Sequence, residues 1–282
     1  MTLTYGRRLA ETVARRGALC VGIDPHPQLL ARWGLAADAA GLERCARGMV
    51  EALGLQVAVM KPQSAFFEAY GSAGVAVLER VLADIAQAGA LSLLDVKRGD
   101  IGSTMAAYAV AYLSDGSPMA ADAITLSPYL GFGSLREAVD LAGASGRGVY
   151  VLALTSNPEG PAVQHAVTTT GVTVGASVIA AAGEANAQAA SLGELGHVGV
   201  VVGATIGGTG LDFSALNGSI LAPGVGAQGA EAADLVDVFG PALPLVLPSV
   251  SREVMSAGPQ PAALREAADR VLADVVAVTS TA

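Results

Sequence analysis

The sequence predicts a single (β/α)8 barrel over residues 1–282, and two observations support this fold class. Short apolar runs recur along the chain with helix-length segments between them, and most of the runs are continuously apolar rather than alternating. Continuous apolar runs are typical of parallel strands that helices cover on both faces. Eight strands with eight following segments, joined by right-handed crossovers, favour a closed barrel over the competing open, doubly wound sheet.

The elements can be placed along the chain in order. The eight predicted strands lie near 18–23, 55–60, 91–96, 122–126, 149–154, 198–202, 219–222 and 245–247. Helices are predicted at about 39–52, 74–88, 103–113, 135–142, 174–192, 227–238 and 261–278. The interval 205–216 leaves room only for a short helix.

In such a barrel all strands end on one face, so the residues at these ends share one pocket. The ends carry Asp24, Lys61, Asp95 with Lys97, Ser127, Thr155 with Ser156, Gly203, Pro223 with Gly224, and Ser249 with Arg252. Burying charged groups singly at the ends of apolar strands is costly. The pattern therefore favours one shared polar site.

Composition and charge exclude several classes of protein. The net charge is −9, from 16 Lys and Arg against 25 Asp and Glu, so a broad nucleic-acid surface is not expected. A small anionic substrate stays possible, because a few cations and helix N-termini can hold one phosphate.

No apolar run approaches the ~18 residues of a membrane span. Cys20 and Cys45 lack ligand spacing and are expected to be free, buried thiols in a soluble cytoplasmic protein.

The strongest candidate site is the segment 93–101, Leu-Leu-Asp-Val-Lys-Arg-Gly-Asp-Ile. Strand side chains alternate, so Asp95 and Lys97 point the same way from the end of the third strand. Because an apolar run leads into this pair, a functional site is favoured over an ordinary surface ion pair. Lys61 ends another apolar strand, and with Asp95 and Lys97 it forms a charged array. Asp100 lies beyond the strand and need not face the pocket of its own subunit.

Further motifs follow one another in the order found in one enzyme family. They are Val21-Gly22-Ile23-Asp24-Pro25, Lys61-Pro62-Gln63, Asp-x-Lys-x-x-Asp at 95–100 with Thr104, Leu154-Thr155-Ser156-Asn157-Pro158, Val202-Gly203-Ala204-Thr205, the run 223–229, and Arg252 after the last strand. On these motifs the sequence resembles the orotidine 5′-phosphate decarboxylases, the longer bacterial subtype in particular, along nearly its whole length.

The resemblance implies decarboxylation of orotidine 5′-monophosphate (OMP) to UMP without metal or cofactor. It implies that Lys97 protonates C6, that Asp95 lies against the departing carboxylate, and that Lys61 orients the aspartates and contacts the ribose. It also implies a homodimer with shared active sites, in which Asp100 and Thr104 come from the partner subunit. The remaining implied contacts are Asp24 to the ribose hydroxyls, Ser156 to the pyrimidine, and Gln228 and Arg252 to the phosphate.

The glycine loop at 224–229, which includes Gly226, matches G-x-G-x-x-G. A dinucleotide site is not expected, because the loop lies near the C-terminus and no acidic ribose ligand ends the next strand. Backbone N–H groups of a glycine loop that opens a helix suit a single phosphate. We therefore predict that this loop binds the substrate phosphate and closes over it.

The proposed reaction explains why these residue types are needed. Loss of CO2 leaves a carbanion at C6 that no ring carbonyl delocalises directly, and a fixed ammonium stabilises that charge and then delivers the proton. Neighbouring carboxylates favour the charged form of Lys97. The required stabilisation is on the order of 20 kcal/mol. One ion pair does not supply this, so binding energy from the distant phosphate must contribute.

Two other functions are open at this point. Sugar-phosphate enzymes of the same barrel group share Asp-x-Lys-x-x-Asp, but they use Mg²⁺ with an acidic residue ending strand two, where this chain has Lys61. A catalytically silent nucleotide-binding barrel would not need Lys97. The three histidines, His26, His165 and His197, lack metal-ligand spacing. The segment 155–173 is either an active-site cover or only surface.

Overall fold

Eight parallel strands form a closed barrel in the computed structural model, which describes residues 3–207, 210–226, 229 and 231–279. The strands are β1 Cys20–Ile23, β2 Val59–Pro62, β3 Leu91–Arg98, β4 Ala123–Leu126, β5 Gly148–Leu154, β6 Val198–Val202, β7 Ile220–Pro223 and β8 Val246–Val250. Each strand pairs with its sequence neighbours, and Cys20 and Val21 of β1 pair with Ser249 and Val250 of β8. An open sheet has no such pair between first and last strands, so the predicted (β/α)8 barrel is confirmed.

Helices surround the barrel. They are α1 Tyr5–Arg16, α2 Pro27–Arg32, α3 Ala39–Leu53, α4 Ser64–Glu68, α5 Gly71–Gln87, α6 Gly102–Leu113, α7 Arg136–Ala144, α8 Pro161–Gln164, α9 Val174–Ala185, α10 Ala187–Ser191, α11 Asp234–Phe239, α12 Arg252–Met255 and α13 Pro261–Thr279. Two 3₁₀ turns lie at Phe132–Leu135 and Gly240–Leu245. Within the described ranges, no helix has the length and apolar character to cross a membrane.

Helix α3 shows how the local sequence sets an element. Asp38 caps it by accepting a hydrogen bond from the Gly41 N–H at 2.8 Å. Apolar side chains at helical spacing, including Leu42, Met49 and Leu53, are fully buried against the barrel. The cap therefore sets where the helix begins, and the apolar face sets which side of it packs against the barrel.

Several strand boundaries were predicted wrongly. Strand β2 starts at Val59 rather than near 55, because the Val57 N–H bonds back to Leu53 O and leaves Leu55 79% exposed in a turn. Strand β8 runs on to Val250. Strand β2 also runs on to Pro62 and β3 to Arg98, so Lys61, Lys97 and Ser249 lie within strands rather than after them.

The helical predictions also need correction. The predicted helix at 174–192 is two helices, because the buried Asn186 side chain donates to Val198 O at 2.7 Å and Leu216 O at 2.9 Å instead of lying on a helix surface. In the described part of 205–216 the backbone forms turns, not a helix. Of the helix predicted at 227–238, the structure shows Asp234–Phe239, while 227, 228 and 230 lie outside the described residues.

Helix α1, which no strand pattern predicted, closes the N-terminal end of the barrel. Tyr5 and Leu9 are 2% and 3% exposed and pack among the inward side chains of the strands. The Tyr5 hydroxyl lies 3.0 Å from that of Tyr150, and Arg8 pairs with Asp122 just before β4. The open cavity is therefore confined to the opposite, C-terminal end.

Candidate active site

A cavity of about 850 Å³ lies at the C-terminal ends of the strands. Six of the ten predicted site residues line it: Asp24, Lys61, Asp95, Lys97, Ser156 and Arg252. Apolar side chains of Leu152, Val201 and Leu221 complete the lining from β5, β6 and β7. The cavity is large enough for a nucleotide and combines apolar walls with a few fixed charges, as ligand sites commonly do.

Asp95 is the centre of the charged cluster. Its Oδ1 accepts a hydrogen bond from Lys97 Nζ at 2.6 Å, and its Oδ2 lies 3.4 Å from Lys61 Nζ. The side chains of Lys61 and Asp95 are 7% and 9% exposed, whereas that of Lys97 is 46% exposed. Lys61 therefore neutralises Asp95 from inside the barrel, while Lys97 reaches into the cavity. These two are the only lysines in the sequence.

The environment keeps the buried partners charged. Burial alone would raise the pKa of Asp95, but Lys61 and Lys97 outweigh it and lower that pKa to about 2. Burial would lower the pKa of Lys61, but the negative charges of Asp24 and Asp95 raise it above its ordinary value. Both groups are therefore ionised at neutral pH.

The backbone at Lys97 is strained. Its φ is +45°, in the left-handed region, which costs a non-glycine residue about 1–2 kcal/mol. The β3–β4 register passes from Leu94 opposite Ile124 to Arg98 opposite Leu126, so four steps on β3 match two on β4. The resulting bulge places the Lys97 ammonium back over the Asp95 carboxylate.

Sequence reasoning gave no role to two residues that hold Asp95. The Thr125 hydroxyl donates to Asp95 Oδ1 at 2.7 Å. The Gln63 amide nitrogen, in the orientation its surroundings require, donates to Asp95 O at 2.8 Å and to Oδ2 at 3.1 Å. A signal existed for Thr125, because it is the one polar residue in the apolar strand β4. Gln63 belongs to the Lys61-Pro62-Gln63 motif, but nothing in the local sequence linked it to Asp95.

Two positions show how the cavity wall is shaped. A side chain at Gly203 would overlap Ser156 Oγ, so the absence of Cβ lets Ser156 pack onto the end of β6. Asp24, at the end of β1, has a buried Oδ1 with no hydrogen-bond partner among the described residues. Buried polar atoms are normally paired, so this oxygen is available to a donor on a ligand.

Three of the other four predicted residues do not line the cavity. Asp100 accepts a hydrogen bond from the Ile101 N–H at 2.8 Å, and Thr104 is exposed on α6. Gly226 lies on a separate cavity beside Glu253. Gln228 lies outside the described residues, so its phosphate role stays a prediction.

The donor set in the cavity favours anions over a metal ion. Both oxygens of Asp95 face ammonium groups, and Arg252 adds a further cation to the wall. In the ranges that the structure describes, His, Cys, Asp and Glu side chains form no group of three or more that could hold a metal ion.

Comparison with known proteins gives a consistent result. A sequence profile of the orotidine 5′-phosphate decarboxylase / HUMPS family matches residues 17–267. The orotidine 5′-phosphate decarboxylase of Salinispora arenicola is 64% identical over 271 residues, which are 96% of each chain. That of Streptomyces coelicolor is 56% identical over 278 residues, 98% of this chain and 99% of the relative. A crystal structure described as an orotidine 5′-phosphate decarboxylase from Streptomyces avermitilis matches with a TM-score of 0.95 at 56% identity, covering 99% of this chain and 97% of that one.

Proposed function

The chain belongs to the orotidine 5′-phosphate decarboxylase / HUMPS family, and we propose that it converts OMP to UMP and CO2. The observation that carries this proposal is the Lys61–Asp95–Lys97 cluster at one side of a nucleotide-sized cavity that Arg252 also lines. A protein that only bound a nucleotide would gain nothing from a strained, half-exposed lysine pressed against an ionised carboxylate.

Lys97 supplies the electrostatic stabilisation and the proton. When the bond between C6 and the carboxylate breaks, its electron pair stays on C6 and CO2 departs. The Lys97 ammonium stabilises that pair and transfers a proton to C6, and the resulting amine regains a proton from water. Its 2.6 Å contact with Asp95 holds the ammonium in place.

Asp95 acts on the group that leaves. Its low pKa keeps it negative, so it repels the substrate carboxylate placed beside it, and that repulsion ends as CO2 departs. Lys61 compensates the buried negative charge of Asp95, because an unpaired buried charge is strongly destabilising.

The rest of the cavity binds the ribose, base and phosphate. Asp24 has a carboxylate oxygen without a partner among the described residues, which suits a ribose hydroxyl. Ser156 lines the same cavity, where the family resemblance assigns it to the pyrimidine. Arg252 suits a bidentate phosphate contact. Gly224, whose φ of 111° suits glycine, also lines this cavity and begins the glycine loop proposed to bind the phosphate.

The reaction proceeds without a metal ion in this proposal, since Lys61 stands at the end of strand two and opposes cation binding. Purified enzyme in EDTA should decarboxylate OMP at an unchanged rate. Loss of activity in EDTA that Mg²⁺ restores, with turnover of a 3-keto-sugar phosphate instead of OMP, would favour the sugar-phosphate branch.

The decisive test follows the ultraviolet absorbance of OMP in metal-free buffer. We expect steady loss of the orotate chromophore with the wild-type chain and none with Lys97→Ala under the same conditions. A static spectrum from wild-type protein that binds UMP tightly would instead support a silent nucleotide-binding barrel.

We also propose a homodimer with shared active sites. Asp100 and Thr104 do not line the cavity of their own chain, and exposed apolar side chains on and just before α6 and in the loop after β4 offer a candidate interface patch. The exposed side chains of this patch are Ile101, Val110, Tyr129 and Leu130, at 63%, 56%, 81% and 53% exposure. A second copy seated there would cover the patch and bring Asp100 and Thr104 to the partner's cavity.

Mixing two inactive variants tests the shared site. In a heterodimer of Lys97→Ala and Asp100→Ala, one site has an intact Lys97 facing an intact Asp100. Random exchange should restore about a quarter of wild-type activity, since half of the dimers are mixed and each has one intact site. No recovery, with mixed dimers verified by native mass spectrometry, would contradict the shared site; Lys97→Ala mixed with the double variant is the control.

A further inference from the structure

Thr125 is placed where the two charged residues of β3 meet the neighbouring strand. It lies in β4, is 1% exposed and is the polar residue of an otherwise apolar strand. Its Oγ1 is within hydrogen-bond distance of two groups: Asp95 Oδ1 at 2.7 Å and the backbone N of Lys97 at 2.9 Å.

The direction of both hydrogen bonds is fixed. A backbone N–H can only donate, so the Thr125 oxygen accepts from Lys97. An ionised carboxylate can only accept, so the single hydroxyl proton of Thr125 goes to Asp95. One oxygen therefore joins the backbone of Lys97 to the side chain of Asp95.

This bridge lies at the β3–β4 bulge, which orients the Lys97 side chain towards Asp95. Between Leu94 and Arg98 the regular β3–β4 register is interrupted, and there the Lys97 N–H bonds to a side chain of β4 instead of a main-chain carbonyl. The same residue has the left-handed φ of +45°. The Thr125 bond therefore satisfies a buried N–H and helps to hold a strained conformation that a regular ladder would not produce.

We propose that Thr125 is a positioning residue for the decarboxylation: its hydroxyl holds the Asp95 carboxylate and the Lys97 backbone in the arrangement that places the ammonium at C6. The proposal rests on the proposed function. It requires a hydroxyl at this position, because an isosteric methyl group can form neither bond.

The test compares Thr125→Val, Thr125→Ala and Thr125→Ser with the wild-type chain. For each we measure kcat and KM for OMP, and the exchange of the C6 hydrogen of UMP in D2O by NMR. By microscopic reversibility this exchange uses the same proton transfer without loss of CO2. We expect the Val and Ala variants to lose about 100-fold in both kcat and exchange rate, with KM changed less than about threefold, because misplacement of about 1 Å has effects of that size. Thr125→Ser should lie within about fivefold of wild type.

Ser92 provides a matched control on the same two strands. Its hydroxyl donates to Asp122 Oδ2 at 3.0 Å and accepts from the Asp122 N–H at 2.9 Å, at the opposite end of the barrel. Ser92→Ala should lower thermal stability and leave kcat and the exchange rate within about twofold.

Several results would overturn the proposal. Val and Ala variants with near-normal kcat and exchange, a Ser variant as slow as they are, or a Ser92→Ala variant equally slow would each remove the positioning role. If the wild-type chain itself left OMP unchanged, the proposed function would be wrong instead, so the two failures are distinguishable.

Discussion

The two ends of the barrel carry the same hydrogen-bonding device on the same pair of strands. At the N-terminal end, Ser92 bridges the carboxylate and backbone N–H of Asp122, which also pairs with Arg8. At the C-terminal end, Thr125 bridges the carboxylate of Asp95 and the backbone N–H of Lys97.

The difference lies in what surrounds each carboxylate. Asp122 has one guanidinium partner and lies under α1, which closes that end. Asp95 has two ammonium partners, one of them on a strained backbone and half exposed to a cavity. The comparison indicates that an ion pair with largely covered partners has a structural role, whereas one with a second, half-exposed cation beside a cavity is suited to act on a ligand.

We expect the largest effect from Lys97→Ala, which removes the group that distinguishes the C-terminal end of the barrel. Removing the ammonium takes away both the proton donor and the stabilising charge, so kcat should fall by at least about 10⁴-fold. UMP affinity, measured by calorimetry, should stay within about tenfold because the phosphate contacts remain. Near-normal turnover would remove the role assigned to Lys97.

Arg252→Ala tests the distant end of the same cavity. Loss of a charge-assisted phosphate contact should lower kcat/KM by about 10- to 100-fold, mainly through KM. With the wild-type chain, added phosphite should restore part of the activity on a substrate that lacks the phosphate. Arg32→Ala, an exposed arginine on α2, is the control and should leave the kinetics unchanged. An Arg252 variant with unaltered kcat and KM would show the phosphate assignment to be wrong.

Asp122→Ala should separate stability from catalysis at the closed end. It leaves Arg8 and the Ser92 N–H without their carboxylate, which should lower the free energy of unfolding by about 2–4 kcal/mol in urea titrations. At a temperature where the variant is folded, kcat should match wild type. A large loss of kcat in the folded variant would contradict the division between the two ends.

The pH dependence of stability should report on Asp95. Its pKa is lowered in the folded chain to about 2, so its contribution is fully present above about pH 4 and is lost as the pH falls through 2. The shift corresponds to about 2 kcal/mol. The difference in unfolding free energy between wild type and Asp95→Asn should therefore be constant above about pH 4 and shrink below it; a difference that grew on acidification would have the wrong sign.

Much of the fold could be predicted from the sequence, because most strands bury a largely continuous apolar run. The errors occurred where burial depends on tertiary contacts. Leu55 is apolar but lies in a turn, and Asn186 interrupts a helical pattern to bond backbone groups of distant segments. Helix α1 closes the barrel through Tyr5 and Leu9, a contact that no local pattern reveals.

The candidate site was predictable to the extent that charged residues end apolar strands. Lys61, Asp95 and Lys97 meet as expected. The parts played by Thr125 and Gln63 depend on the β3–β4 bulge and on a bridge between Gln63 and Asp95. The bulge and the bridge both depend on the register between neighbouring strands, which a single sequence does not reveal residue by residue.

The use of lysine at only two positions has a practical consequence. Lys61 is enclosed and bound to Asp95, so Lys97 carries the accessible side-chain amine of the chain. An acylating or aldehyde reagent that bears a phosphate should therefore modify one side chain per polypeptide, and UMP should protect it. Labelling stoichiometry by mass spectrometry, with and without UMP, then becomes a direct count of the sites that UMP leaves unoccupied, without any engineered tag.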